Sequence, residues 1–150
     1  MDGFAIASSE LPSDFIDKHA LRARMHERGG QSEIRFMRRM RQAVLPVLHA
    51  GQLLLAPWGS KHPALPRSGF TWQSTVEAGE WSRYHGEQVT IPASAGLHNG
   101  VWYRIRQGVS GVLICSDEMT AVYVVVRQST YYYRIMTRGT RMPVLVGEVI

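Results

Sequence analysis

The chain has 150 residues, of which 45% are hydrophobic and 19% charged, with a formal net charge of +5. A chain of this length buries about 68–70% of its unfolded surface, so a disulfide or structural metal is not needed for stability. Its apolar runs are far shorter than the roughly 18–20 residues that span a bilayer, and residues 1–15 lack the Lys or Arg of a secretory signal. We therefore expect one cytoplasmic domain over residues 1–150 with no membrane association.

Arginine dominates the basic residues. All 17 Lys and Arg residues except Lys18 and Lys61 are arginine. The planar guanidinium group can bind phosphate and stack on bases, so this composition favours a polyanionic partner with exposed rings. A solvated face on a basic protein remains an equally open interpretation, because net charge alone does not demonstrate nucleic-acid binding.

Two helices are predicted before residue 45. Residues 13–28 begin with Ser13 as a candidate cap, have acidic residues in the first turn and basic residues in the last, and end at Gly29-Gly30. In residues 32–44, apolar residues recur at helical spacing with arginines between them, which predicts a basic amphipathic helix.

Later in the chain, short runs rich in Val, Ile and Tyr predict strands. These strands cover residues 53–56, 88–91, 101–106, 109–115, 121–127, 131–136 and 143–149, with a short helix over 75–84. The short connections 107–108 and 116–120 predict an antiparallel meander, in which 101–106 pairs with 109–115. The predicted fold class is therefore α+β: a β-rich single domain with an antiparallel, barrel-like core and one or two N-terminal helices.

The strand predicted over residues 101–106 has two different faces, because side chains alternate along a strand. Its core face would carry Val101, Tyr103 and Ile105, and its cationic, aromatic face would carry Trp102, Arg104 and Arg106.

Standard catalytic and metal-binding motifs are absent. The six histidines are scattered, and the sequence has no phosphate-binding loop, dinucleotide-binding turn or nucleophile elbow. Cys115 is the only cysteine and lies in an apolar run, so we interpret it as a small core residue. We expect no metal and no cofactor.

Five short segments occur in the order and at about the spacing of one known family. They are Arg35-Phe36 with residues 45–48, residues 53–59 ending in Trp58-Gly59, Thr75-Val76, Ile91-Pro92-Ala93, and residues 141–145 with the sequence Arg-Met-Pro-Val-Leu. Together they resemble the SOS-response-associated peptidase (SRAP) family, whose members bind single-stranded DNA and crosslink to abasic sites. The resemblance covers roughly residues 35–146. It implies an extended chain from Arg35, which leaves residues 32–44 open between helix and strand.

The residues that carry the family's chemistry are replaced. The resemblance places the family's N-terminal Cys at Asp2, its Asn and Arg at Phe70 and Trp72, its Glu at His98 and its His at Gly139. Without a thiol, the terminal amine can form at most a reversible imine with an abasic-site aldehyde. Asp2 and His98 remain as catalytic candidates, and whether any catalysis survives is open.

We therefore predict a SRAP-like protein that binds single-stranded DNA, including DNA with an abasic site, in a DNA-damage context without crosslinking to it. The candidate phosphate and base contacts are Arg35, Trp58, Trp72, Trp102, Arg104, Arg106, Arg138 and Arg141. The alternative is a small structural or protein-interaction domain whose arginine-rich aromatic face binds an acidic partner. The sequence does not specify the oligomeric state.

Overall fold

Two β-sheets and three short helices make up the computed structural model, which describes residues 1–148. The strands are β1 (Gly3–Ala7), β2 (Met25–Arg28), β3 (Gln31–Met37), β4 (Val44–His49), β5 (Gln52–Pro57), β6 (Phe70–Trp72), β7 (Glu87–Ile91), β8 (Ala95–His98), β9 (Val101–Arg104), β10 (Val109–Cys115), β11 (Thr120–Gln128) and β12 (Arg141–Pro143). The helices are α1 (Ser13–Lys18), α2 (Gln73–Glu77) and α3 (Tyr131–Thr137). This strand-rich architecture confirms the predicted α+β class.

The first sheet is antiparallel, with the strand order β2-β3-β1-β8-β9. Phe4, Ile34 and Phe36 lie on its core face and are almost completely buried, because they alternate with residues on the outer face. Gly3 at the start of β1 pairs with Met37 on one side and Leu97 on the other. The amino terminus therefore lies at the end of the sheet where β3 and β8 finish.

The second sheet has the order β12-β11-β10-β7-β4-β5, and β6 pairs with β11 in parallel. Trp58, just after β5, forms a bridge with Val122 of β11, and the Gly59 N–H donates to the Val122 carbonyl at 2.9 Å. The end of β5 therefore returns to β11, and the core combines aliphatic and aromatic side chains from both sheets.

The N-terminal helix is much shorter than predicted. α1 ends at Lys18, and Ala20 adopts a left-handed conformation with a φ of 55° that a continuing helix cannot contain. Ser13 is the first helical residue rather than its cap, since Pro12 occupies the cap position. Residues 25–28 form β2, and Gly29-Gly30 is the turn of the β2–β3 hairpin, with positive φ at both positions.

The helix predicted over residues 32–44 is wrong, and the extended alternative is correct for β3. Ile34 and Phe36 point into the core, while Glu33 and Arg35 alternate with them on the outer face. The strand predicted over residues 131–136 is also wrong, because these residues form α3. The Thr130 hydroxyl accepts a hydrogen bond from the Tyr133 N–H and caps this helix.

The predicted pairing of residues 101–106 with 109–115 is wrong as well. β9 pairs with β8 through an Asn99-Gly100 turn, and β10 belongs to the other sheet. The predicted hairpin of β10 and β11 is confirmed. The strand predicted over residues 143–149 is wrong for residues 144–148, because β12 ends at Pro143 and only Leu145 forms an isolated bridge, with Val109. Residue 149 of that prediction lies outside the described residues.

Two smaller corrections concern residues 75–84 and Cys115. The predicted helix over 75–84 is divided into α2 and a 3₁₀ turn (Glu80–Tyr84), because Gly79 between them has a φ of 75°. Cys115 is exposed rather than buried, since it is the outward-facing last residue of β10. Within residues 1–148, no helix is both long and apolar enough to cross a membrane.

Candidate nucleic-acid interface

The predicted binding residues fall into two groups, one on segments of the second sheet and α3 and the other on the first sheet. Trp58, Trp72, Arg138 and Arg141 belong to segments around the amino terminus. The second group contains Arg35, Trp102, Arg104 and Arg106, gathered around β9 and the outer face of the sheet. The two groups do not form one continuous site, so each is described separately.

Asp2 holds the amino terminus in place. Its N–H donates to the Leu97 carbonyl at 2.8 Å, and its carbonyl accepts from the Arg38 N–H at 2.9 Å. Its carboxylate accepts from the Asn99 N–H at 2.9 Å and so braces the β8–β9 turn. Asp2, which the SRAP resemblance aligns with the family's Cys, therefore has a structural role in this chain.

The terminal amine of Met1 lies close enough to His98 to affect the pKa of its imidazole. Burial lowers the pKa of the Met1 amine, Asp2 opposes this effect, and Arg141 adds to it. Burial also lowers the pKa of His98, and the charges of the terminal amine and Arg141 lower it further against the opposing effect of Asp2. Both groups therefore favour their neutral forms more than they would in water.

His98 begins a buried chain of hydrogen bonds. Only 7% of its surface is exposed, and its Nδ1 lies 2.8 Å from the Tyr133 hydroxyl, which in turn donates to the Tyr103 hydroxyl at 3.4 Å. Burial raises the pKa of Tyr133 to about 12 and that of Tyr103 well above its usual value. Both phenols are therefore neutral, and α3 is fastened to β8 and β9 through polar contacts.

Gly139 lies directly against the His98 ring. A Cβ at position 139 would come within 2.1 Å of His98 Cε1, so the imidazole fills the space that a side chain at 139 would need. The resemblance assigns the family's His to position 139 and its Glu to position 98. In this chain an imidazole reaches the same place from β8 instead.

Arg38 and Trp58 fix the segment of residues 66–72. The Arg38 guanidinium donates to the carbonyls of Arg67 and Ser68 at 3.1 and 3.0 Å, and Trp58 Nε1 donates to the Gly69 carbonyl at 3.0 Å. Gly69 has a φ of +81°, and a Cβ there would lie 2.7 Å from Arg38 Nε. Trp58 is only 3% exposed, so its ring packs in the core and offers no open face to a base.

A cationic hollow of about 650 Å³ opens on one side of this segment. Among the described residues that line it, four carry positive charge and none carries negative charge; the four are Arg38, Arg41, Lys61 and Arg67. Arg41, Lys61 and Arg67 are exposed, and none of them makes an ion pair within residues 1–148. This hollow is the strongest concentration of unopposed positive charge near the amino terminus.

A second hollow of about 420 Å³ lies on the other side of the segment. Arg141 and Trp72 line it, and the Arg141 guanidinium lies 4.9 Å from the centre of the Phe70 ring. Trp72 is 46% exposed and is the one predicted tryptophan with a largely open ring.

Arg138 is also exposed, at the C-terminal end of α3, between Thr137 and the Gly139 that packs on His98. We call the two hollows, together with Met1 and His98, the terminal surface.

On the outer face of the first sheet, Trp102 is covered by arginines. The guanidinium carbons of Arg28 and Arg35 each lie 4.9 Å from its ring centre, and both arginines pair with Glu33. Burial would raise the pKa of Glu33, but the hydrogen bonds from the two arginines outweigh it and hold the pKa below its usual value. Arg35 therefore stacks on Trp102 and pairs with Glu33 within the sheet. Arg104 and Arg106 remain exposed, as the predicted alternation of residues 101–106 requires.

The sequence interpretation missed several residues of the terminal surface. Arg38 and Arg41 belong to an arginine cluster visible in the sequence, but Lys61 and Arg67 come from a loop with no recognisable motif. Tyr133 was missed because it was assigned to a strand. Only its position on α3 brings its hydroxyl to His98.

The described residues contain no cluster of three or more His, Cys, Asp or Glu side chains that could hold a metal ion. The chain was also compared with known proteins. No protein-family model, curated protein or solved structure matches it. The relationship to the SRAP family, and the function that it implies, therefore remain predictions that rest on the short motifs.

Proposed function

We propose that this protein binds single-stranded DNA at the terminal surface, including strands with an abasic site, and that it does so without a thiol-dependent crosslink. The observation that carries the proposal is the cationic hollow, in which Arg38, Arg41, Lys61 and Arg67 face no carboxylate among the described lining residues. Unopposed arginines suit the phosphates of a nucleic-acid backbone. A role in the response to DNA damage follows from the SRAP resemblance alone.

The exposed ring of Trp72 supplies a contact for bases. Proteins that bind single strands combine a cationic track with aromatic rings, because every base offers a face for stacking. Trp72 lies at the end of the segment that separates the two hollows, beside Arg141. A strand that crosses this segment can place phosphates in the cationic hollow and a base on Trp72.

The proposed absence of a stable crosslink follows from the amino terminus. In an imine, the amine nitrogen bonds to the aldehyde carbon and water leaves; water can then reverse the reaction, because no neighbouring thiol captures the product. The residue after Met1 is Asp2, whose carboxylate is bonded to the Asn99 N–H. The lowered pKa of the Met1 amine increases its neutral, nucleophilic fraction near neutral pH.

Fluorescence anisotropy with a labelled single-stranded oligonucleotide tests the binding proposal. Arg41→Ala/Arg67→Ala is expected to weaken binding and to reduce the slope of log affinity against log salt by about 0.7 for each lost phosphate contact. Arg104→Ala/Arg106→Ala is the matched control, because it removes the same charge from a different surface. Equal losses in the two variants would show that only net charge matters and would contradict the proposal.

A denaturing gel of the same mixtures tests the chemistry. We expect no covalent band with an abasic strand alone, and a band after treatment with cyanoborohydride, which reduces an imine to a stable amine. Selective acetylation of the terminal amine is expected to abolish that band. A band that survives denaturation without reductant would contradict the proposed reversibility.

A further inference from the structure

β9 leaves one side of its backbone open. It is the last strand of the first sheet, and within residues 1–148 its only strand partner is β8. His98 and Val101 close the two-residue Asn99-Gly100 turn, and the Ile105 N–H donates to the Ser94 carbonyl at 2.9 Å. In an antiparallel pair, this register directs the N–H and C=O groups of the intervening Trp102 and Arg104 away from β8.

The outward backbone groups have no partner in the described part of the chain. Within residues 1–148, no backbone or side-chain hydrogen bond reaches the N–H or C=O of Trp102 or Arg104. A cavity of about 560 Å³ lies along this edge, between β9 and α3. We call it the edge groove, and its lining residues are Trp102, Tyr103, Arg104, Arg106, Tyr132, Met136 and Glu148.

The two sides of this edge differ in chemistry. On the α3 side, Tyr132 and Met136 face the buried Tyr103, and Tyr132 is 64% exposed. On the outer face, Trp102, Arg104 and Arg106 also line a larger hollow of about 880 Å³. Its other charged lining residues are Arg28, Glu10 and Glu33, of which Glu33 pairs with Arg28, so the balance of charge is positive. Arg104 and Arg106 are exposed and make no ion pair within residues 1–148. One side of the edge is therefore apolar and aromatic, and the other is cationic.

We propose that the edge groove binds an extended acidic peptide segment of a partner protein, which adds to β9 as a sixth strand of the first sheet. A strand added to an open edge gains affinity from main-chain hydrogen bonds, and its alternate side chains enter different environments. Acidic side chains would meet Arg104 and Arg106 on the outer face, and apolar side chains would meet Tyr132 and Met136. The expected ligand therefore alternates acidic and apolar residues.

The same features argue against other occupants. A second copy paired through its own β9 would bring Arg104 and Arg106 of both chains together, and each chain already carries a formal charge of +5. Single-stranded nucleic acid has no backbone N–H groups with which to complete a β-ladder. Glu148 lines the same groove as Arg104 and Arg106, and its Oε2 is buried without a hydrogen-bond partner in the described structure.

The probe is a fluorescently labelled eight-residue peptide of alternating Glu and Val, titrated with the full chain in an anisotropy assay. The control peptide replaces every Glu with Lys. We expect salt-sensitive binding of the Glu-Val peptide and at least about tenfold weaker binding of the Lys-Val peptide, because its charges would face the arginines. A Glu-Val peptide with N-methyl groups on alternate residues is expected to lose affinity, since it cannot complete the ladder.

Two substitutions of Arg104 distinguish the contribution of its backbone N–H to peptide binding from that of its charge. Arg104→Ala keeps the outward N–H but removes the guanidinium, and Arg104→Pro removes both; proline is tolerated at an edge where the N–H faces solvent. We expect Arg104→Pro to bind the peptide more weakly than Arg104→Ala, with circular dichroism and thermal unfolding confirming that both are folded. If Arg104→Pro does not fold, the N-methylated peptide provides the same test from the ligand side.

Three results would overturn the proposal. They are the failure of the Glu-Val peptide to bind the wild-type chain, equal binding of the Lys-Val peptide, and a concentration-dependent dimer that Arg104→Pro abolishes. A loss of single-strand binding in Arg104→Ala/Arg106→Ala without any peptide binding would assign the groove to nucleic acid instead. None of these results depends on the terminal surface, so failure here is distinguishable from failure of the proposed DNA binding.

Discussion

At the terminal surface, the Arg38 guanidinium donates hydrogen bonds to the carbonyls of Arg67 and Ser68. The exposed side chains of Arg41, Lys61 and Arg67 line the same hollow. At the edge groove, Arg104 and Arg106 make no ion pair within residues 1–148. The outward backbone N–H and C=O groups of Trp102 and Arg104 are also unpaired there. The first region is a prebuilt cationic surface, whereas the second is an incomplete sheet. We therefore propose that similar arginine and aromatic content serves two different kinds of recognition.

Tryptophan illustrates the same contrast. Trp72 has an open ring at the terminal surface, whereas Trp102 beside the edge groove is covered by Arg28 and Arg35. A ring that already stacks on two guanidinium groups stabilises its own sheet and gives little to a base. Arginines next to aromatic residues in a sequence therefore do not by themselves identify a nucleic-acid site.

A substitution in the segment of residues 66–72, beside the cationic hollow, is expected to have the largest effect on the free energy of unfolding. Gly69→Ala places a Cβ 2.7 Å from Arg38 Nε at a φ of +81°. We expect it to lower the free energy of unfolding by about 3 kcal/mol, since backbone strain and a clash add. Gly79→Ala is the control, because Gly79 has a φ of +75° but no atom within 4 Å of the added Cβ. Similar losses in urea unfolding would show that the clash is unimportant.

Removing the Tyr133 hydroxyl is expected to have the next largest effect. Tyr133→Phe leaves His98 Nδ1 and the Tyr103 hydroxyl without their shared partner, which we expect to cost about 2 kcal/mol of unfolding free energy. The exposed neighbour provides a matched control, since Tyr132→Phe should change stability by less than about 0.5 kcal/mol. Equal effects of the two substitutions would mean that the buried chain of hydrogen bonds does not stabilise the terminal surface.

The lowered pKa of His98 predicts a smaller, pH-dependent effect. The unfolded state binds a proton below about pH 6.5, whereas folded His98 resists protonation, so stability falls as the pH drops through the unfolded pKa towards the folded one. His98→Gln is expected to reduce this pH dependence in unfolding measurements between pH 7 and 5, and His62→Gln in an exposed loop serves as control. An unchanged pH dependence in His98→Gln would contradict the burial of a neutral imidazole.

The smallest expected effect concerns the carboxylate already in the edge groove. Glu148→Gln removes a negative charge from the groove that Arg104 and Arg106 also line. We expect the Glu-Val peptide to bind about twofold more tightly, because less negative charge then competes for the arginines. Glu118→Gln, in the exposed β10–β11 turn, should leave peptide affinity unchanged. Weaker binding in Glu148→Gln would show that Glu148 supports the groove rather than competes within it.

Local sequence patterns predicted β10 and β11 and the turn between them, because a buried run of β-branched residues has few alternatives. They failed for residues 32–44, where the helical spacing of apolar residues coincided with a two-residue alternation around Ile34 and Phe36. They failed again at α3, where three tyrosines suggested a strand. The cap at Thr130 and the packing of Tyr133 on Tyr103 decided the structure instead.

The hairpin of β8 and β9 was visible in the sequence as Asn99-Gly100, a pair that favours positive φ at both turn positions. Gln107-Gly108 also resembles a hairpin turn, and the predicted pairing across it places β9 in the wrong sheet. The open edge of β9 follows only from the correct pairing. Likewise, the cationic hollow could not be predicted, because its four charged residues come from two segments that only tertiary folding brings together.

The central claim is that the terminal surface and the edge groove are separate sites for different ligands. The most direct test is an anisotropy titration of both probes, the single-stranded oligonucleotide and the Glu-Val peptide, against Arg41→Ala/Arg67→Ala and Arg104→Ala/Arg106→Ala. The two variants carry the same net charge, so any difference between them reflects position. We predict that the first variant weakens only oligonucleotide binding and the second weakens only peptide binding. Parallel losses of both ligands in both variants would contradict the claim.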